Sequence, residues 1–315
     1  MDAKYRKWCA GQQNLPLFAQ DWWLDAVCGW ENWHVITASS GDFDLALPVY
    51  AVKIKGIRRL VQPPWTQYHY LCDLNGQLSN IKDAYQRNTI IKDFLASFPS
   101  TPIVEINLNP QFQDGLGFQW AGFHLQTRYS MMIEVHQKEM LFDGYSKNLR
   151  RNIKAAQRLY TVEPSSDSSL LYQIIQETLV RKKAGVQPEQ EVIYRMLEAL
   201  LKRKQGRFFV AREADRSVAG GVLVAWDHAY TYYIIGGQQS QKGKPSPHSI
   251  LMHTFISESL EAGRTFDFCG SMIPGVARFF SSFGAKPRSF LQVSKYSGPG
   301  RLKKMKQSIR QERRD

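Results

Sequence analysis

Lys147, Arg150, Arg151, Lys154 and Arg158 recur at spacings of three and four, so a helix there carries its cations along one stripe. No acid relieves them between positions 145 and 160. Such a stripe either grips the phosphates of a nucleotide-linked molecule or a tRNA, with arginine making paired contacts, or is a solvated helix face. Further on, Ser246 and Pro247 suit the N-cap and first position of a helix, with Lys242 and Lys244 just before them. A helix N-terminus flanked by lysines is a seat for phosphate. His248 stands at the same helix start, where the positive end of the dipole favours an uncharged imidazole able to accept a proton. Its plainer reading is a surface or capping histidine.

Other proton carriers lie close by in sequence. Asp267, in TFDFCG, points away from Phe266 and Phe268 on a strand. It is either a general base in a dry site or a brace for a neighbouring loop. Tyr232 and Tyr233 alternate faces, so one belongs to the core and the other can line a cleft and give a proton to a leaving group; Tyr232 is taken as the catalytic one. Gly236 and Gly237 either let backbone approach a ligand or make a plain turn. In QPPWTQYHY (62–70), Trp65 and Gln67 follow two prolines and form either a rigid wall for a substrate pocket or packing between domains. No Ser/His/Asp or Cys/His nucleophile arrangement and no metal-ligand constellation is visible. Cys9, Cys28, Cys72 and Cys269 form no CxxC pair and read as free thiols of a reducing compartment.

The elements that must hold these residues follow from periodicity. A short amphipathic helix is expected at 18–30, then strands at 33–39, 43–52 and 57–61. Pro48 demotes the second of these to an edge or bulged strand. A helix at 80–98 and strands at 102–108 and 125–135 complete a mixed first half. From 139 the chain turns helical and basic, with further helices at 168–183 and 188–205. Strands at 206–212, 217–226 and 228–236 come next, then a helix at 247–262, a strand at 265–269, a helix at 274–282 and a strand at 290–296. The fold class is therefore α/β with mixed sheets. The domains are expected at 1–144 and 145–298, with 299–315 as a basic tail. Residues 301–315 hold seven Lys or Arg against two acids and can dock an anionic membrane.

Bulk composition sets the limits. With 315 residues, 43% hydrophobic and 22% charged, the chain is an ordinary globular one, long enough for two domains. Its net charge of +13 favours a polyanionic partner. No signal peptide and no membrane-spanning stretch is seen, so a soluble cytoplasmic protein is expected. The oligomeric state is not legible.

The order of elements in the second half resembles the GNAT acyltransferase core, and particular residues narrow the likeness. YSKNLRRNIKAAQR (145–158) resembles the opening of the Fem-type second domain. TYYIIGGQQ (231–239), PHSILMHTFISESLEAGRTFDFCGS (247–271) and GVARFFSSFGAKP (275–287) are similar to that family's closing pattern. LFAQDWWLDAVCGWENWHVI and LALPVYAVK with PPWTQYHY resemble its first domain, so the likeness spans nearly the whole chain. It implies two GNAT-like domains in tandem and transfer of an activated acyl or aminoacyl group to an amine acceptor by direct attack. The donor would be an acyl-CoA or an aminoacyl-tRNA, a co-substrate and not a tightly bound cofactor. The resemblance places the donor beside Gly236, Gly237 and the helix start. Two departures stand out. The Q/R-x-x-G-x-G/A loop of acetyl-CoA users is absent, and Phe279-Phe280 replaces the Phe-Lys that places the donor in Fem-type enzymes. Under the resemblance Arg278 would supply the replacement cation. A rival reading is a non-catalytic GNAT-like module that binds nucleic acid or phosphorylated ligands.

Overall fold

The computed structural model describes residues 3–40, 42–181, 188–239, 243–270 and 272–298. Lys242 and the basic tail fall outside these ranges. In chain order the first elements are α1 (Ala3–Ala10), α2 (Asp21–Cys28), β1 (Trp33–Ser40), β2 (Phe43–Ile54), β3 (Ile57–Val61) and β4 (Cys72–Asp73). There follow α3 (Ala84–Ala96), β5 (Ile103–Asn107), α4 (Leu116–Trp120) and β6 (His124–Ile133). The second half holds α5 (Lys147–Leu159), β7 (Thr161–Ser165), α6 (Ser168–Arg181), α7 (Gln190–Arg203), β8 (Gly206–Arg212) and β9 (Val218–Trp226). It ends with β10 (Tyr230–Gln238), α8 (Pro247–Glu261), β11 (Thr265–Asp267), α9 (Pro274–Ser281) and β12 (Lys286–Tyr296).

The chain divides into two compact units. The first comprises the described parts of Met1–Gln13, Phe18–Arg128 and Ser289–Asp315, the second Asn14–Leu17 and Tyr129–Arg288.

In the first unit, β1 and β2 pair antiparallel, and β2 and β3 form a hairpin. Its two-residue turn, Lys55-Gly56, has positive φ at both positions, the geometry whose twist suits adjacent strands. β3 runs parallel to β5, and β5 pairs antiparallel with the Gln292–Tyr296 stretch of β12. Leu45, Leu47, Leu60, Val104, Ile106 and Val293 pack with Ile91 and Phe94 of α3 to form the core. Pro48 does not sit on an edge strand, because β2 pairs on both sides. Pro48 itself is opposite Val35 of β1. On the other side β4 pairs at Leu45 and Ala46 and β3 only from Tyr50, so no ladder bond is asked of Pro48 there.

The second unit orders its strands β6-β11-β10-β9-β8-β7. β10 and β11 run parallel, and the other pairs are antiparallel. β9 is buried along nearly its whole length, which explains its continuous apolar run AGGVLVA. Leu149 and Ile153 of α5 and Ile250, Leu251 and Phe255 of α8 form one core with Val222, Val224 and Phe266. α6 packs on β10 and α7 on β8. α5, absent of acids, is capped by the Ser146 hydroxyl, which accepts from the Leu149 N–H at 3.3 Å.

Candidate active site

The second unit's sheet opens at one point. β11 ends at Asp267, whose register partner on β10 is Tyr232. β10 continues over Tyr233–Gln238 beside β9, without β11 alongside. After Asp267 the chain swings away through Cys269 and Gly270, both at positive φ. Within the extension the β9–β10 register slips between Tyr233 and Ile235, leaving Ile234 as a bulge. The slip reverses the alternation, so Tyr233 and Gly236 face α8 while Tyr232 and Gly237 face α6. A β-carbon on Gly236 would lie 2.6 Å from Cε1 of His248, and one on Gly237 would run into Thr178 and Ile174. These glycines lie inside the strand and admit close neighbours on both of its faces.

His248, at the second position of α8, therefore sits against the strand. Its Nε2 is 3.4 Å from the Tyr233 hydroxyl, and its ring meets Tyr233 edge-on at 5.8 Å and Phe279 at 5.8 Å. Burial pushes the Tyr233 hydroxyl well above the usual phenol range, so it stays protonated and can act as a donor. Tyr232, by contrast, is fully buried, and its hydroxyl donates to Asp227 Oδ2 at 2.9 Å.

The other candidates are placed as follows. Asp267 is fully buried; its Oδ1 accepts from the Ser130 hydroxyl and from the Cys269 N–H at 2.7 Å, while Ser130 Oγ accepts from the Gly270 N–H at 2.8 Å. The carboxylate thus ties the turn that ends β11. Cys269 sits beside it, and burial, with the Asp267 charge adding, holds its thiol well above the ordinary value. Ser246 stands at the N-cap, yet its hydroxyl donates to Gln238 Oε1 at 2.6 Å and does not bond the helix. That same oxygen accepts from the His248 N–H at 3.2 Å, so the strand end caps the helix. Lys244 donates to both oxygens of Glu213, at 2.9 and 2.7 Å. Arg278 is exposed on α9.

On α5, Lys147, Arg151 and Lys154 are exposed and Arg150 half-buried, opposite the buried Leu149, Ile153 and Ala156. Arg150 lies 3.6 Å from Asp143, and Arg151 donates to Asn148 at 2.6 Å. Trp65 and Gln67 belong to the first unit. Trp65 is half-buried with φ of 57°, and the Gln67 carbonyl accepts from Asn107 Nδ2 at 3.3 Å. Among the described residues no three His, Cys, Asp or Glu side chains gather as a metal site would, and no helix is long and apolar enough to cross a membrane.

The site as built thus joins Tyr233, Gly236, Gln238, His248 and Phe279. Sequence reading singled out His248 and Gly236 but missed Gln238, and of the two tyrosines it chose Tyr232, which lies in the core bonded to Asp227, whereas Tyr233 is the one that meets His248. Only the bulge decides that choice, and one extra residue in a strand leaves no mark on composition.

Residues 144–280, which hold every part of this split, match the Acetyltransferase (GNAT) domain family. The chain carries a GNAT acetyltransferase domain. The family is one of N-acyltransferases, and the GNAT fold ordinarily takes an acyl-CoA as co-substrate. No curated protein matches the sequence. Among solved structures, FemX shares 12% identity over 92% of this chain and 96% of its own, with a TM-score of 0.64. L-PGS from Bacillus licheniformis shares 12% over 93% and 91%, at 0.59. A tandem GNAT protein from the clavulanic acid biosynthesis pathway shares 12% over 84% of each chain, at 0.51. At these identities the likeness establishes a Fem-like, tandem-GNAT fold for the chain around the GNAT domain.

Proposed function

We propose that the chain transfers an activated acyl or aminoacyl group to an amine by direct attack, with the reacting carbonyl held at the Tyr233–Gln238 edge of β10. The observation that carries this reading is the end of the β10–β11 ladder at Tyr232 and Asp267, six residues short of the end of β10. A strand edge released from its neighbour offers fixed backbone donors to a developing oxyanion.

Tyr233 and His248 then manage the protons. The amine nitrogen bonds to the acyl carbon as the bond from that carbon to the leaving sulfur or oxygen breaks. The imidazole takes one proton from the amine, and the phenol gives one to the leaving group. Their 3.4 Å contact lets the proton pass between them, so the pair ends as it began. Direct attack is favoured over a covalent enzyme intermediate because the one cysteine at the split, Cys269, is kept as a thiol. Gln238 at the start of α8 and the α5 cations are the natural contacts for a phosphorylated donor, CoA or tRNA.

Mass spectrometry of ligands released from the natively purified protein, scanned for acyl-thioesters, aminoacyl-tRNA and sugar nucleotides, tests the donor class. Each donor found is then offered with amines to the wild type, Tyr233→Phe and His248→Gln. General acid–base groups of this kind contribute about 100-fold or more. An unreactive wild type, or variants that turn over as fast as it does, would leave the GNAT domain as a binding module.

A further inference from the structure

A cavity opens at the end of α8 remote from His248. It holds about 380 Å³ and lies between the last turns of that helix and the sheet face of β8, β9 and β10. Its polar lining is Arg207, Trp226, Thr231, Glu258, Ser259, Glu261 and Arg264, while Val224 and Phe255 give it an apolar wall. The volume is in the range of small-molecule sites. Ten residues of helix separate Glu258 from His248, about 15 Å at the helical rise, so the cavity is not part of the split.

The charges in it are arranged unevenly. The guanidinium carbons of Arg207 and Arg264 lie 5.8 and 5.0 Å from the centre of the Trp226 ring. Arg207 takes the carboxylate of Glu258, with Nη1 3.0 Å from Oε2. Arg264 donates through Nε to the buried Thr231 hydroxyl at 3.1 Å, and no carboxylate among the described residues stands at ion-pair distance from it. Burial lowers the Arg264 guanidinium from its ordinary value, with the Asp227 and Glu258 charges opposing and the Arg207 charge adding. A half-buried guanidinium is normally matched by an anion; here it lies over an indole ring, and its hydrogen-bond partner is a hydroxyl.

We propose that this cavity is a second binding site on the GNAT domain, taking a small organic anion whose carboxylate or phosphate pairs with Arg264 and whose body lies against Trp226. The site stands independently of the reading of the split. Thr231 holds Nε and fixes the plane of the guanidinium, leaving its two terminal nitrogens as a fork for two oxyanion oxygens. Glu261, exposed on the rim, sets an upper limit on the charge accepted.

The test uses the full chain labelled with 15N-arginine, with the Arg264 Nε–H signal assigned by its loss in Arg264→Gln. Inorganic phosphate, AMP and benzoate are titrated in turn at constant ionic strength. At least one of AMP and benzoate is expected to give a saturable shift of that signal, AMP marking a phosphate ligand and benzoate a carboxylate. Arg264→Gln should weaken binding of that probe at least tenfold, followed by calorimetry. Glu261→Gln lies on the surface and should tighten it about twofold, which keeps the test open if the arginine variant does not fold. Shifts that are linear and alike for all three anions, or a Glu261→Gln affinity equal to or below that of the wild type, would overturn the proposal.

Discussion

A β-carbon built on Gly236 comes within 2.6 Å of Cε1 of His248. The imidazole is thus packed on strand backbone at the one place in the second unit where β10 has left β11 behind. Helix α8 fixes the histidine's position, Gln238 fixes the helix start, and the absence of a side chain at Gly236 admits the ring. These are three constraints on one group, which is how a proton carrier is held to a single geometry.

Gly236→Ala should therefore displace the ring more than it unfolds the protein. Overpacking at a buried site costs about 1–3 kcal/mol. Thermal melts should show a loss of that order, and turnover should fall far more than the melt predicts. Gly237→Ala, on the α6 face against Thr178 and Ile174, should destabilise at least as much. Equal turnover in the Gly236 variant and the wild type would mean that the position of His248 is immaterial.

Asp227 organises the β9–β10 turn. Its Oδ1 accepts from the Ala229 and Tyr230 N–H groups, and its Oδ2 from the Tyr232 hydroxyl and the Leu17 N–H, at 2.9 to 3.0 Å. The residue is 4% exposed, so removing the carboxylate strands several buried donors. Asp227→Ala should cost about 3 kcal/mol in denaturant unfolding. Asp227→Asn, which keeps one acceptor, should cost less. A neutral Asp227→Ala would show that the turn re-forms on water alone.

Much of the second unit was legible because its strands and helices are long and strongly periodic. GRFFVAR, the apolar run of β9 and the LLKR end of α7 fall where the spacing puts them. Several short pieces were not. α4 and β7 are five residues each, and β7 even contains Pro164, while α1 is polar on average and offers no apolar period. Pro48 misled because the penalty on a strand proline depends on which side lacks a partner, and that is a property of the neighbours' lengths. At the site, charge and residue type flagged His248, but the cap supplied by Gln238 arises from a contact across ten residues. Lys244 looked free in sequence because Glu213, its partner, is thirty-one positions away.

The α5 stripe has a separate test. Arg151 projects away from the buried Leu149 and Ile153, Arg150 flanks them half-buried, and the pairing of Arg150 with the exposed Asp143 is worth little. Arg150→Ala with Arg151→Ala should leave the melting temperature almost unchanged. If the stripe meets phosphates, the slope of log affinity for bulk tRNA against log salt should become shallower by about 1.8, about 0.9 per lost phosphate contact. An unaltered slope would assign the stripe to solvent.

His69 offers a pH-dependent stability that needs no substrate. It lies in the first unit, 4% exposed, with Nδ1 2.9 Å from Gln62 Oε1 and no partner for Nε2. The amide oxygen only accepts, so Nδ1 carries the proton. Burial lowers the pKa from 6.5 to about 3, which keeps the folded ring neutral. In the unfolded chain the ring takes up a proton as pH falls below 6.5, while in the folded chain it does so only near 3. The unfolded state therefore binds more protons across that window, and stability falls as the pH is lowered, by up to about 1.4 kcal/mol per unit. Between pH 6.5 and 5, above the range where carboxylates titrate, this amounts to about 1–2 kcal/mol. The depressed pKa of His253, also from burial, acts with the same sign. His69→Gln, which can still donate to Gln62, should flatten the dependence of unfolding free energy on pH in that interval without abolishing it. An identical pH dependence in variant and wild type would mean that His69 is protonated in the folded protein and that its buried nitrogen has found an anion.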